Sequence, residues 1–243
     1  MKNLLALETS SPVLSIALQK GQTGKILEKT VQGFSAHAEN IIPVMDGLLK
    51  RAGLSIHKID AFLIGRGPGS FTGLRVGFAT LKGFLAVQSK PCFGGLSLDL
   101  IAENAKLPES SCLGVCLDAF RQKTYARFYR RSQSKWEPAS KPESFPVSEI
   151  LDRLPSGEIS ITGNAIERYG EEFLKKGEKI RLLPKKMWYP TASSLISLFR
   201  AGNKKIEALK SPANFIPLYF RPIEARSMAE IAKEKKELHA HAC

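Results

Sequence analysis

The sequence predicts an α/β protein of two lobes, each a mixed sheet flanked by helices. Three observations point there. The chain opens with aliphatic runs of strand length, Leu4–Leu7, Val13–Leu18 and Ile26–Val31, separated by Ser-Pro and Gly-x-x-Gly breakers. Strands and helices alternate after that, and from Cys112 the same order begins again. Hairpins followed by alternation, twice over, suit two sheets with helical cover. The restart lies in the order of elements; no repeat of residues accompanies it.

After the opening hairpins, Ile41, Ile42, Met45, Leu48, Leu49 and Ala52 recur at the spacing of one helical face, and Gly53 closes that helix. Pro43 lies early in it, so the helix begins near Ile42 or kinks there, because proline removes a helical donor. Ile59–Ile64 reads as a strand. Gly65-Arg66-Gly67-Pro68-Gly69 follows as a tight turn, with Ser70 as N-cap of a second helix whose apolar stripe is Leu74, Phe78, Leu81 and Leu85. Gly73, Gly77 and Gly83 each cost that helix about 1 kcal/mol relative to alanine, which points to another backbone packing close. In the second half, Cys112–Leu117 and Lys123–Tyr129 are strands, Pro138, Pro142 and Pro146 mark a loop, and a short helix runs around Ser148–Leu154. Ile159–Thr162 gives a strand, Ala165–Lys176 a helix, Ile180–Leu183 a strand and Thr191–Ala201 a helix. The expected lobes are 1–105 and 106–222, followed by a charged, helix-prone tail at 223–243. Actin-like and hexokinase-like ATPases have this arrangement, so the expected fold class is actin-like and ribonuclease H-like, with mixed sheets flanked by helices.

At 243 residues, 43% hydrophobic and 24% charged, the chain has the composition of a folded globular protein. The opening apolar run is too short for a signal-peptide core and is cut by Glu8 and Thr9; no stretch approaches the roughly 20 apolar residues that span a bilayer. A cytoplasmic protein with no membrane association is expected. Cys92, Cys112, Cys116 and Cys243 form no C-x-x-C pair, so neither a disulfide framework nor a zinc ribbon is indicated. Net charge is +13, with +5 in the first hundred residues and +8 in the rest. Such a diffuse field attracts polyanions such as tRNA, and plain solubility charge accounts for it equally well.

Gly65–Gly77 is the strongest local signal: a glycine-rich turn between strand and helix, able to aim backbone N–H groups at an anion. It is neither a Walker A loop nor G-x-G-x-x-G, because Thr72 and Ser70 occupy the required glycine positions. Glu8, Thr9, Ser10 and Ser11 end the first strand with one carboxylate and three hydroxyls. With Gly67, Gly69 and Asp118 they offer a phosphate or nucleotide contact, and a tight turn that satisfies its own hydroxyls explains them as well. Arg121, Lys123, Arg127, Arg130 and Arg131 lie on a hairpin whose alternate positions face opposite sides, so they cannot all form one patch. His239, His241 and Cys243 have ligand chemistry but sit at the end of the chain, where order is least expected. No complete catalytic constellation and no metal site is visible, and neither G-x-S-x-G nor H-E-x-x-H occurs.

Leu4-Leu5-Ala6-Leu7-Glu8-Thr9-Ser10, His37-Ala38-Glu39-Asn40-Ile41-Ile42-Pro43 and above all Gly65 through Gly77 closely resemble the TsaB (YeaZ) family. The segment from Leu117 to Ala126, Thr162-Gly163-Asn164-Ala165 and Pro217 to Pro222 also resemble family markers, so the likeness covers about residues 1–222. It implies a two-lobed actin-like fold and a role in making threonylcarbamoyladenosine at position 37 of tRNA. It further implies a scaffold with no activity alone, which pairs in a heterodimer with a catalytic TsaD-type paralogue and recruits a TsaE-type ATPase to it. tRNA is then present in the complex, and a homodimer is an expected state of the chain alone. TsaD-type subunits hold a metal through H-x-x-x-H, whereas here the position four after His37 is Ile41. The resemblance thus implies no cofactor in this subunit, with ATP and Mg handled by its partners.

Family members pair through the two helices of the first lobe, so the resemblance marks His37, Ile41, Met45, Leu48, Gly73, Leu74, Gly77 and Phe78 as interface candidates. Burial in the chain's own core is the competing account of these residues. The alternative function is an independent ATP-binding transferase or kinase of the same fold, with Glu8 or Asp118 positioning metal and nucleotide. A protease reading finds neither a zinc pair nor a nucleophile–base pair.

Overall fold

Central strands buried on both faces organise the first sheet. The computed structural model describes residues 1–33, 36–119, 121–153, 157–175, 179–210 and 215–220. β1 (Leu4–Glu8), β2 (Val13–Gln19) and β3 (Ile26–Gln32) form an antiparallel meander; β4 (Ala61–Gly65) runs parallel to β1, and β5 (Cys92–Gly95) parallel to β4. Every residue of β1 and β4 is buried, as strands covered on both faces must be. Alternation divides their side chains: Leu5, Leu7, Phe62 and Ile64 meet α1 (Ala36–Ala52) and α2 (Phe71–Val87), while Leu4, Ala6, Ala61 and Leu63 meet the opposite layer. α1 begins well before Pro43, which lies on its exposed face. The missing donor therefore falls on the side where water can satisfy the freed carbonyl.

The second sheet repeats the plan. β6 (Cys112–Asp118) is central, antiparallel to β7 (Lys123–Ser132) and parallel to β10 (Ile159–Thr162), which in turn pairs in parallel with β11 (Ile180–Leu182). β8 (Lys135–Pro138) and β9 (Glu143–Pro146) both pair with β7. The proline-marked loop of the sequence is thus two short edge strands, with Pro138 and Pro146 at their ends, where no ladder donor is required. The short helix near Ser148 is α4 (Val147–Ile150), continued by a 3-10 turn at Leu151–Arg153. α5 (Ala165–Leu174) buries Ala165, Ile166, Tyr169 and Phe173 on this sheet.

The expected boundary at residue 105 does not divide the packing. α3 (Ser97–Asn104), a helix that sequence periodicity missed, leaves the first sheet and seats Leu98, Ile101 and Ala102 on the second, while its Leu100 faces the first. Six successive residues, Ser97–Ala102, are buried; a helix clamped between two layers shows no single polar face. In return α6 (Ala192–Arg200) lays Leu195 and Ile196 on the first sheet, and β12 (Ile206–Ala208) extends that sheet by pairing antiparallel with β5. Residues 192–208, assigned by sequence to the second lobe, therefore complete the first. The tail at 223–243, with His239, His241 and Cys243, lies outside the described residues.

A buried ion pair pins α3 across the lobes. Asp99, 2% exposed, accepts from Arg127 Nη1 at 2.9 Å and from the Tyr129 hydroxyl at 2.7 Å. Burial pushes its carboxyl above the ordinary range, and Arg127 pulls it back. Arg127→Ala leaves that carboxylate enclosed without its cation. We expect a loss of about 3–5 kcal/mol in denaturant unfolding; a change near zero would show that Asp99 is stable without it.

Candidate functional site

The glycine-rich turn is built against the end of β1. Gly65, the last residue of β4, lies so close to the Glu8 carboxylate that a Cβ there would collide with it. Gly69 meets Ser10 in the same way, and Gly73 and Gly77 in α2 meet Thr9. Gly67, at φ 93°, takes up the left-handed backbone that the turn requires. Hydrogen bonds close the arrangement: Ser70 N–H donates to the Ser10 carbonyl at 2.7 Å, Ser97 N–H to Gly67 at 2.8 Å, and Leu218 N–H to Arg66 at 2.8 Å. Ser70 is the N-cap foreseen, its Oγ accepting from Gly73 N–H at 3.1 Å.

Glu8 is fully enclosed and accepts from Ser10 N–H at 2.6 Å and from the Ser97 hydroxyl at 3.0 Å. Burial pushes its carboxyl above the ordinary 4.5, against the hydrogen bonds from Ser10 and Ser97. Thr9, Ser10 and Ser11 are buried as well, and Thr9 Oγ1 and Ser10 Oγ have no hydrogen-bond partner among the described residues. Glu8, Thr9 and Ser10 pack against the turn and α2, through Gly65, Gly77 and Gly73, and Gly69. The Ser11 hydroxyl instead bonds the Val13 backbone, and Gly67 meets Leu74 and the Leu218 carbonyl, so of the residues expected at a phosphate contact Glu8, Thr9, Ser10 and Ser11 are buried. Asp118 is held in its own lobe, its N–H donating to Asn164 Oδ1 at 3.0 Å and its carboxylate 3.8 Å from Arg168.

The interface candidates also need correction. Ile41, Met45, Leu48, Leu74 and Phe78 are at most 5% exposed and His37 is buried with them; Ile41, Met45, Leu48 and Phe78 pack with the sheet residues of the first core. Gly73 and Gly77 serve the approach to Thr9, within the chain. The opposite faces of the same helices are open. α1 presents Ala38, Ile42, Pro43 and Gly47, and α2 presents Thr72, Ala79, Gly83, Ala86 and Val87. α1 and α2 pack against each other, so their exposed faces belong to one helix pair. Ile42 is 52% and Val87 83% exposed. α2 contains no acidic residue, and Arg75 and Lys82 are its exposed charges.

The basic hairpin divides as its alternation requires. Arg127 turns inward to Asp99, Arg131 lies 5.3 Å over the Trp136 ring, and Arg130 is exposed. Sequence reading missed Ser97 and Asp99; Leu98, Leu100, Ile101 and Ala102 after Ser97 were the available signal. Among the described residues no group of three or more His, Cys, Asp or Glu side chains is arranged to hold a metal ion.

Two substitutions in one helix separate close approach from intrinsic cost. Gly83 has nothing within 4 Å of a new Cβ, so Gly83→Ala should stabilise the chain by about 0.5–1 kcal/mol. Gly73→Ala meets the Thr9 carbonyl and should destabilise it by roughly 1–3 kcal/mol. Equal effects in thermal melts would contradict the packing assigned to the motif. Because the folded chain holds the Glu8 proton more tightly than the unfolded one, ionisation above pH 4.5 works against the fold. Melting temperature should fall as pH rises through the raised value in wild type and stay flat over that window in Glu8→Gln. Parallel curves would refute an enclosed, titrating Glu8.

A family model described as TsaD, tRNA N6-adenosine threonylcarbamoyltransferase, matches residues 31–223. A Haemophilus influenzae protein named tRNA threonylcarbamoyladenosine biosynthesis protein TsaB is 32% identical over 127 residues, a match spanning 50% of this chain and 51% of that protein. The protein of the same name from Buchnera aphidicola subsp. Baizongia pistaciae is 25% identical over 228 residues, 90% of this chain and 98% of that one. YeaZ from Pseudomonas aeruginosa superposes with a TM-score of 0.75 at 24% identity, covering 90% of this chain and 100% of that structure. The fold is that of YeaZ, two mixed sheets flanked by helices, and the chain belongs to the threonylcarbamoyltransferase-type family described as TsaD, in its TsaB (YeaZ) group.

Proposed function

We propose that this chain is a non-catalytic subunit of the machinery that makes threonylcarbamoyladenosine at position 37 of tRNA. It pairs with a TsaD-type catalytic subunit and helps recruit a TsaE-type ATPase, in the cytoplasm, with ATP and Mg handled by those partners. The tRNA role is supported by relatives named for threonylcarbamoyladenosine biosynthesis. The pairing role is supported by one structural observation, the exposed faces of one helix pair, with Ile42, Pro43 and Gly47 on α1 and Ala79, Gly83 and Val87 on α2. Small residues let a partner helix approach closely, and an apolar patch of this kind marks an interaction surface. The same surface is the place for a homodimer of the chain alone.

The rival reading, an independent nucleotide-using transferase, needs Glu8 or Asp118 open to metal and nucleotide. Glu8 is enclosed under the turn, and Asp118 faces Arg168. Among the described residues no helix is long and apolar enough to cross a membrane.

Ile42→Glu and Ala79→Glu change exposed positions and should leave the melting temperature within a few degrees of wild type. In size-exclusion chromatography with a purified TsaD-type subunit, wild type should co-elute and each variant should not. Co-elution of both variants would place pairing elsewhere on the molecule.

A further inference from the structure

Where β12 joins the first sheet beside β7 and β8 of the second, the lobes line an open pocket of about 470 Å³. Sites for small ligands occupy roughly 300–1,000 Å³ and combine concave walls with a few placed polar groups. The walls here are Gly94 and Gly95 with Arg66 from the first lobe, Arg127 and Glu137 from the second, and Lys204, Lys205 and Glu207 from the returning segment.

The charges do not cancel among themselves. Four cations meet three carboxylates, and two of the three carboxylates are already engaged. Asp99 is held by Arg127 and the Tyr129 hydroxyl, and Glu207 accepts from Arg66 Nη1 at 3.0 Å. Glu137 stands exposed on the rim. The donors, in contrast, are incompletely used among the described residues. Arg66 is 8% exposed and its Nε has no partner. Arg127 donates through Nη1 to Asp99 and through Nε to the Ser140 carbonyl. Lys205 Nζ, half-buried, donates to the Trp136 carbonyl. A guanidinium has five donors and an ammonium three, so each of these groups retains capacity.

We propose that this pocket binds a small anion carrying a phosphate or carboxylate group, held across the two lobes by Arg66, Arg127 and Lys205. Charge-assisted hydrogen bonds from three cations supply the binding. Burial works against the charge on Lys205, so an anion beside it offsets a cost the free chain bears. Because Arg66 comes from the glycine-rich turn and Arg127 from β7, occupancy ties the two lobes together. The site is independent of the pairing role, and its failure leaves that role untouched.

Calorimetric titration of the full chain with inorganic phosphate and with succinate, each against sodium chloride of equal ionic strength, tests the site and separates the two chemistries. One probe should bind saturably and raise the melting temperature. Lys205→Gln and Arg66→Gln should each weaken that binding by about tenfold or more. Glu137→Gln, on the exposed rim, should keep the fold and tighten binding by removing a repelling carboxylate. No saturable binding of either probe, or affinities unchanged in all three variants, would overturn the proposal.

Discussion

The approach of α2 and the Gly65–Ser70 turn to the end of β1 is closer than any side chain permits, and much of the molecule follows from it. Four glycines bring backbone onto Glu8, Thr9 and Ser10. That contact encloses a carboxylate, leaves two hydroxyls without partners, and joins the first strand to α3 through Ser97. The cost is borne locally, in helical glycine and in a desolvated acid. What the fold gains is a strand end sealed by its own chain.

The second lobe repeats the device in milder form. Gly163, just past β10, approaches the Cys116 carbonyl of β6, and Asn164 accepts the Asp118 N–H. The two lobes then exchange their last helices: α3 covers the second sheet and α6 the first, with β12 sealing an edge of the first sheet. Each core is completed by the other half's chain, and the Asp99–Arg127 pair fixes one of the crossings. A domain boundary drawn between them in sequence cuts through both cores.

The hairpins and the alternation were legible because strands buried on one or both faces announce themselves by length and aliphatic content, and Ser70 announced its helix by capping chemistry. α3 was not, since a helix buried nearly all round has no amphipathic period to detect. β8 and β9 were hidden by their prolines, which edge strands tolerate. At the site, Gly73 meets the Thr9 backbone as its cost suggested, Gly77 meets the Thr9 side chain, and Gly83 meets nothing; sequence cannot say which glycine is approached, or by what. Ile41, Met45 and Phe78 have the spacing of a stripe that faces something; whether that is a sheet or a partner depends on the tertiary fold, and the sheet took them. Ile42 was read into the same stripe and lies on the open face instead, while Ala79 and Gly83, also open, carry no periodic signal because small residues resemble an ordinary solvated face.

The proposed scaffold role draws on the closed strand-end loop and on the small residues that α1 and α2 expose. The measurement that tests this most directly is threonylcarbamoylation of tRNA by purified TsaC-, TsaD- and TsaE-type components, with and without this chain, alongside ATP hydrolysis by the chain alone. The account predicts product only when the chain is present and no hydrolysis by it in isolation. Product formed equally well without it, or ATP turnover by the isolated chain, would contradict the scaffold role.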